Sequence, residues 1–305
     1  MEENQTSRTA LITAYTRGYH AANDSPKIFE DFLAHDLLSG EELSSIENWM
    51  MTSLRRHNPV GAASFSDRHS ALAWIMQTGA APPIVLARAR YAEESLEEGV
   101  RQGVKQYVIL GAGMDTFAFR RPDLMEKVQV FEVDHPASQR YKRRRLAELG
   151  WELPGRLQFV PVDFNRESLA NALSRSSYDP DAPAFFSWLG VTYYLPRDIV
   201  CATLREIAEV AAAGSRLTFD YLDADAFIPR KAAPRVLRML WSVQEIGEPM
   251  QAGLAPLTLA AELAPLGLRL HEELSPWDIQ QRYFTGRTDH YRACEHAHFA
   301  LAVVQ

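Results

Sequence analysis

Gln106-Tyr107-Val108-Ile109-Leu110-Gly111-Ala112-Gly113-Met114-Asp115-Thr116 is the stretch from which the fold of this chain can be read. Tyr107 to Leu110 is an unbroken apolar run with β-branched members. It is too short for a helix and suits a strand buried on both faces of a parallel sheet. The run stops at Gly111-Ala112-Gly113. A strand that ends in Gly-x-Gly lets the backbone pass close to a bound nucleotide, with amides aimed at it. A nucleotide-like ligand is the first expectation.

Residues downstream narrow the ligand. A dinucleotide fingerprint needs a third glycine at position 116, but the chain has Thr116 there, preceded by Asp115, whose carboxylate would repel a pyrophosphate. About 20 residues on, a second apolar strand, Val128 to Val133, carries Glu132 and ends at Asp134, where an acid can accept hydrogen bonds from ribose hydroxyls. A ligand with ribose and no pyrophosphate satisfies both facts. S-adenosylmethionine is such a ligand, and a carboxylate near its sulfonium is favourable. The same two facts argue against a dinucleotide-dependent oxidoreductase.

Outward from this centre, strands and helices alternate. Pro136 opens a helix to about Leu149, Leu157 to Val162 is a third strand followed by Asp163, and Ala184 to Leu189 is a fourth followed by Gly190. Pro196 opens a helix through Ala213, and Ser215 to Tyr221 is a fifth strand. This order predicts an α/β fold, a doubly wound Rossmann-like sheet whose ligand lies beyond the carboxyl ends of the strands. Leu257 to Leu266, Leu268 to Glu273 and His298 to Val304 read as a helix and two final strands. Residues 1–103 read as a helical cap, with Leu11, Ala14, Tyr15 and Gly18 on one helical face and Phe29, Phe32, Leu33 and Leu37 on another. Residues 104–305 form the ligand-binding domain, with a lid inserted around 222–255.

Of 305 residues, 47% are hydrophobic and 23% charged, which excludes a disordered chain. The net charge of −7 gives no support for nucleic acid or anionic membrane as partner. The basic run Arg140 to Arg145 reads as a solvated helix face. The 19 residues from His69 to Ala87 lack charge, but Gln77, Thr78, Gly79 and Pro82-Pro83 interrupt them, predicting two short buried helices and no membrane span. Two cysteines, Cys201 and Cys294, suggest neither a disulfide framework nor a metal cluster, and the expected compartment is the cytoplasm.

Gly111-Ala112-Gly113-Met114-Asp115-Thr116, followed by Phe131-Glu132-Val133-Asp134-His135-Pro136 and Lys142, resembles the leucine carboxyl methyltransferase family of S-adenosylmethionine-dependent enzymes. Gly190-Val191-Thr192-Tyr193-Tyr194-Leu195 and the Gly247-Glu248-Pro249 turn are similar to the bacterial branch of polyketide and other small-molecule O-methyltransferases. The resemblance implies that Arg88 contacts the cofactor's methionine carboxylate, that Gly111 and Gly113 lie against the cofactor, and that Asp134 takes the ribose, with Glu132 structural. It further implies that Asp163 and Phe164 frame the adenine and that Arg17 lies near the cofactor or a substrate carboxylate. Two positions depart from the family pattern. Leu189 stands where a glutamate is common, and Phe117 where the bacterial branch has an arginine.

Methyl transfer from a sulfonium is an in-line displacement, so positioning alone supplies roughly 7 to 11 kcal/mol of the barrier. A carboxylate acceptor needs no base, whereas a phenol or alcohol calls for one, with histidine the obvious choice. Of Tyr193 and Tyr194, which could line the acceptor pocket, one is expected in the core and the other facing the ligand, and Trp188, Trp241 and Phe227 are candidates to floor it, at least one of them being ordinary core. His135 reads as packing, and His271, His296 and His298 do not make a metal site. The expected activity is O-methylation of a carboxylate or hydroxyl on a small natural product. The alternatives are a cofactor-binding protein without transfer, suggested by Leu189 and Phe117, and methylation of a protein's C-terminal carboxylate.

Overall fold

The apolar run that ends in Gly-x-Gly becomes an inner strand of a large sheet. The protein is described by a computed structural model at residues 7–163 and 166–305. Among these residues β1 (Gln106–Leu110), β2 (Gln129–Asp134), β3 (Leu157–Pro161), β4 (Ala184–Trp188), β5 (Arg216–Leu222), β6 (Leu268–Leu274) and β7 (Ala297–Val304) form one sheet in the order β3-β2-β1-β4-β5-β7-β6. β1 pairs in parallel with β2 and β4. Strand order reverses between β1 and β4, the place where open α/β sheets bind ligands. All five residues of β1 are buried. Tyr107 and Ile109 join one hydrophobic cluster, while Val108 and Leu110 join another with Val133, Leu204 and Ile207. A strand covered on both faces must be apolar throughout, which is why this run carries no alternation.

The sheet is not parallel throughout. β7 runs antiparallel to both β5 and β6. A parallel entry would need a crossover, and the chain between β6 and β7 holds only α13 (Pro276–Ile279) and one turn of π-helix at Gln280–Phe284.

The first hundred residues are helical, as their periodicity predicts: α1 (Arg8–Asn23), α2 (Gly40–His57), α3 (Pro59–Ser64), α4 (Arg68–Thr78) and α5 (Ala81–Arg101). A capping box between Ser39 and Glu42 opens α2, which has acids in its first turn and Arg55, Arg56 and His57 in its last. Two expectations need correction. Residues 28–39 are a chain of turns, so Phe29, Phe32, Leu33 and Leu37 share no helical face, and Phe32 is 60% exposed. Pro82-Pro83 do not interrupt a short helix. They sit in the first turn of α5, where a missing N–H costs nothing, and α5 spans 21 residues in all. α4 and α5 meet at 62°, and among the described residues no single helix is long and apolar enough to cross a membrane.

The remaining helices are α6 (Phe117–Arg120), α7 (Pro122–Met125), α8 (Pro136–Glu148), α9 (Leu169–Leu173), α10 (Arg197–Val210), α11 (Pro234–Glu245) and α12 (Leu259–Leu263). α12 is the middle of the helix expected over Leu257 to Leu266; 3₁₀ turns at Pro256–Thr258 and Ala264–Leu266 replace its ends, and in the second Pro265 removes a helical N–H. The basic run on α8 is not wholly solvated. Lys142 is buried on Glu132 at 2.5 Å, and Arg145 donates to the carbonyls of Leu37 and Asp36 at 3.2 Å, tying the turns at 28–39 to the sheet domain. Residues 142, 145 and 146 fall on one side of a 3.6-residue helix, and Leu146 on that side is buried.

α1 is latched to the turn after α11. The Glu248 carboxylate accepts from the amides of Arg8 (2.7 Å) and Thr9 (3.1 Å) and from the hydroxyls of Ser7 (2.9 Å) and Thr9. One acid thereby serves several of the N–H groups that a helix start leaves unpaired, and its charge opposes the helix dipole. Glu248→Ala is expected to open the first turn of α1 by about 1 to 2 kcal/mol, read as a roughly five- to thirtyfold faster amide exchange at residues 8–11 with the β1 amides unchanged.

Candidate cofactor and acceptor site

Five strand ends converge on one side of the sheet. Gly111 and Gly113, at φ +68° and +51°, turn the chain sharply after β1. The amides of Gly111 (2.8 Å) and Ala112 (3.3 Å) both donate to the Val133 carbonyl, which closes the turn on the end of β2. Asp134 follows directly. One carboxylate oxygen accepts from the Gly113 amide at 2.5 Å and the other from the His135 amide at 2.6 Å, so this acid joins the β1 and β2 turns. Burial pushes its carboxyl upward against the pull of those two amides. Each oxygen keeps a lone pair for a further donor. A Cβ at Gly113 would lie 3.3 Å from Ala10 Cβ, so α1 packs directly over this turn.

A cavity of about 1200 Å³ lies beyond these ends. It is bordered by Arg88, Gly111, Gly113, Asp115, Asp134, Asp163 and Arg17, the cofactor candidates named from the sequence, and by the Tyr193-Tyr194 pair; the remaining cofactor candidate, Phe164, lies outside the described residues. Asp115 accepts from the Phe117 amide at 2.7 Å and holds the start of α6. Arg17 donates to the Met114 carbonyl at 2.6 Å and to Asp31 at 2.8 Å, and so supports the glycine turn from behind. Asp163 lies 3.4 Å from the Arg166 guanidinium. Arg88 is buried, donating from Nη1 to the Tyr193 hydroxyl at 2.6 Å and to Asp220 at 3.0 Å. Burial holds the Tyr193 hydroxyl well above its usual range and pushes that of Tyr194 up to about 12, so both stay protonated at neutral pH and neither is a base.

Several contributors carried no signal in the sequence. Asp31, buried and also accepting from Thr116 at 2.7 Å, sits in a turn segment. Asp220, between Phe219 and Tyr221 in β5, is a buried charge whose need of a partner is met from α5, far along the chain. Trp49 and Trp74 border the cavity, whereas Trp241 is 51% exposed and Phe227 does not reach the cavity; only Trp188 of the three expected floor residues does. Which helix faces turn inward depends on packing between helices, and spacing along one helix cannot supply it. Phe117 lies in the core, edge-on to Tyr107 at 4.9 Å, and Arg120 borders the cavity one turn away, paired with Glu93. Leu189 borders the cavity. His135 caps α8, its Nδ1 accepting from the Ala137 amide at 3.2 Å. His296 and His298 are held by Asp223 and Glu273.

The donor set suits S-adenosylmethionine. A glycine turn can approach an adenosine closely, Asp134 retains acceptor capacity for ribose hydroxyls, and Arg88 keeps Nε and Nη2 without an acceptor among the described residues. The leucine carboxyl methyltransferase family profile matches residues 10–208. YktD of Bacillus subtilis (strain 168), assigned by name to the S-adenosyl-L-methionine-dependent methyltransferases, is 38% identical over 311 residues covering 99% of each chain. A Mycobacterium bovis protein assigned by name to the same class is 30% identical over 212 residues, 70% of this chain and 65% of its own. Among solved structures, a Streptomyces avermitilis protein covers 96% of this chain and 97% of its own with a TM-score of 0.56 at 15% identity, a likeness of fold alone. The sheet is that of the class I methyltransferases, S-adenosylmethionine is the cofactor, and the chain belongs to the leucine carboxyl methyltransferase family.

Proposed function

We propose that this methyltransferase is an O-methyltransferase acting on a carboxylate or hydroxyl of a small, largely apolar natural product. The observation that carries this reading is the far half of the cavity. Trp49, Met50 and Leu54 of α2, Trp74 and Ile75 of α4, and Met239 and Val243 of α11 with Ile246 directly after it give it apolar walls, continuous with the glycine turn. Met50 and Leu54 lie four residues apart, as do Met239 and Val243 with Ile246 three further on, and Trp74 and Ile75 are neighbours, so three helices each turn a side into the same chamber. Such walls favour a compact apolar body over an extended polar peptide. On this reading residues 1–103 form a cap, 222–255 a lid, and the compartment is the cytoplasm.

When bound, the cofactor supplies an electrophilic methyl on a sulfonium. The chain binds, orients and excludes water, which is the main demand of an in-line displacement. A carboxylate acceptor arrives ionised. For a hydroxyl acceptor, His57 borders the chamber and is the side chain we assign to receive the proton. The alternative of cofactor binding without transfer draws on Leu189 and Phe117, but Phe117 is a core residue outside the cavity. Methylation of a protein C-terminus is tested directly. The purified protein is given methyl-labelled S-adenosylmethionine with aromatic carboxylic acids, phenols and a peptide ending in leucine. Base-stable label on a phenol, or base-labile label on an aromatic acid, is the expected result. Label on the peptide alone, or no label on any acceptor despite cofactor binding, would overturn the reading.

A further inference from the structure

Asp220 is 1% exposed at the carboxyl end of β5, and nothing in the motif pattern assigns it a role. Its two oxygens hold two different parts of the site. Oδ2 accepts from Arg88 Nη1 at 3.0 Å, and Oδ1 accepts from the Gly190 amide at 2.6 Å. The second Nη1 hydrogen goes to the Tyr193 hydroxyl at 2.6 Å. Nη1 is therefore fully used, while Nε and Nη2 have no acceptor among the described residues and Arg88 borders the cavity. Gly190, at φ +74°, lets the turn lie flat on the guanidinium; a Cβ there would come within 2.4 Å of Nη2. A guanidinium is a rigid planar fork, so fixing one terminal nitrogen by two acceptors fixes the plane and direction of the remaining edge. A buried guanidinium also needs a counter-charge to stay in place.

We propose that Asp220 is a positioning residue for the cofactor: acting through Arg88, it sets the Nε–Nη2 edge of the guanidinium to receive the carboxylate of the methionine moiety. The inference rests on the reading that Arg88 receives that carboxylate. Asp220 does not border the cavity, so on this proposal its loss affects only ligands that carry the amino-acid portion.

The test compares two ligands by calorimetric titration. S-adenosylhomocysteine has the carboxylate, whereas 5′-methylthioadenosine keeps adenine, ribose and thioether without it. Asp220→Asn is expected to weaken S-adenosylhomocysteine about tenfold or more, on the scale of one charge-assisted hydrogen bond, and to leave methylthioadenosine within about twofold. Equal losses for both ligands, or no loss for either, would overturn the proposal. Asp220→Glu, which retains the counter-charge and displaces it, gives the same readout if the Asn variant does not fold; a selective loss of S-adenosylhomocysteine is again expected. Arg88→Lys, titrated in parallel, separates the two levels. If it weakens S-adenosylhomocysteine selectively and the Asp220 variants do not, Asp220 alone is misassigned. If Arg88→Lys changes neither affinity, the carboxylate reading falls and the Asp220 proposal with it.

Discussion

Lys142→Met is expected to destabilise the protein by about 3 to 5 kcal/mol, because it leaves the Glu132 carboxylate buried without its cation. Both side chains are essentially inaccessible, their charged atoms are 2.5 Å apart, and Glu132 Oε1 has no other partner. Burial already pushes the Glu132 carboxyl up to about 7 despite the adjacent ammonium. The sign of the pH effect follows. The folded value lies above the ordinary carboxyl value of 4.5, so the stability tied to protonated Glu132 is complete below about pH 4.5 and is lost as pH rises through about 7. The ammonium limits that loss in the native chain. In Lys142→Met nothing does, so the deficit should be small near pH 5 and largest above pH 8. Thermal melts across this range check it, with a fall of about 10 °C expected at the alkaline end. Glu132→Gln combined with Lys142→Met should recover most of the loss, because it removes the stranded charge. A single-variant deficit independent of pH would mean that packing by the lysine stem, and not the charge, is what the pair provides.

Asp134→Ala is expected to raise the dissociation constant for S-adenosylmethionine by about thirty- to a hundredfold, corresponding to about 2 to 3 kcal/mol. The lower figure is the loss of one charge-assisted bond to a ribose hydroxyl. The rest comes from the turns: without the carboxylate, the Gly113 and His135 amides lose their acceptor, and the β1 and β2 turns are no longer joined. Asp134→Asn should not rescue, because its NH₂ would face one of those N–H donors. Calorimetric titration of each variant, with its melting temperature as a control for folding, checks this. An unchanged dissociation constant in the alanine variant would remove Asp134 from the ribose site.

How much could be read in advance differs by element. β1, β2 and β4 were legible because a strand covered on both faces must be apolar, and the place of Asp134 on the cavity because it stands at the carboxyl end of such a strand, two residues beyond Glu132. The reversed direction of β7 was not legible, since an apolar strand reads the same whichever way it enters the sheet. Phe29 and Phe32 suggested a helical face, but the segment folds as turns tethered by Arg145 from α8, a contact across 108 residues for Leu37.

The sequence by itself determined the class of fold, the cofactor and the strand ends that border the cavity, because these follow from short-range rules: glycine's tolerance of positive φ, the two-sided burial of parallel strands, and the cost of an unpaired carboxylate in an apolar run. Only the tertiary structure decided which helical faces wall the cavity and which acids pair with which cations. Arg88 meets Asp220 across 132 residues, and Glu248 reaches the start of α1 across about 240. Those partnerships depend on how layers pack against one another, and no spacing along the chain encodes them.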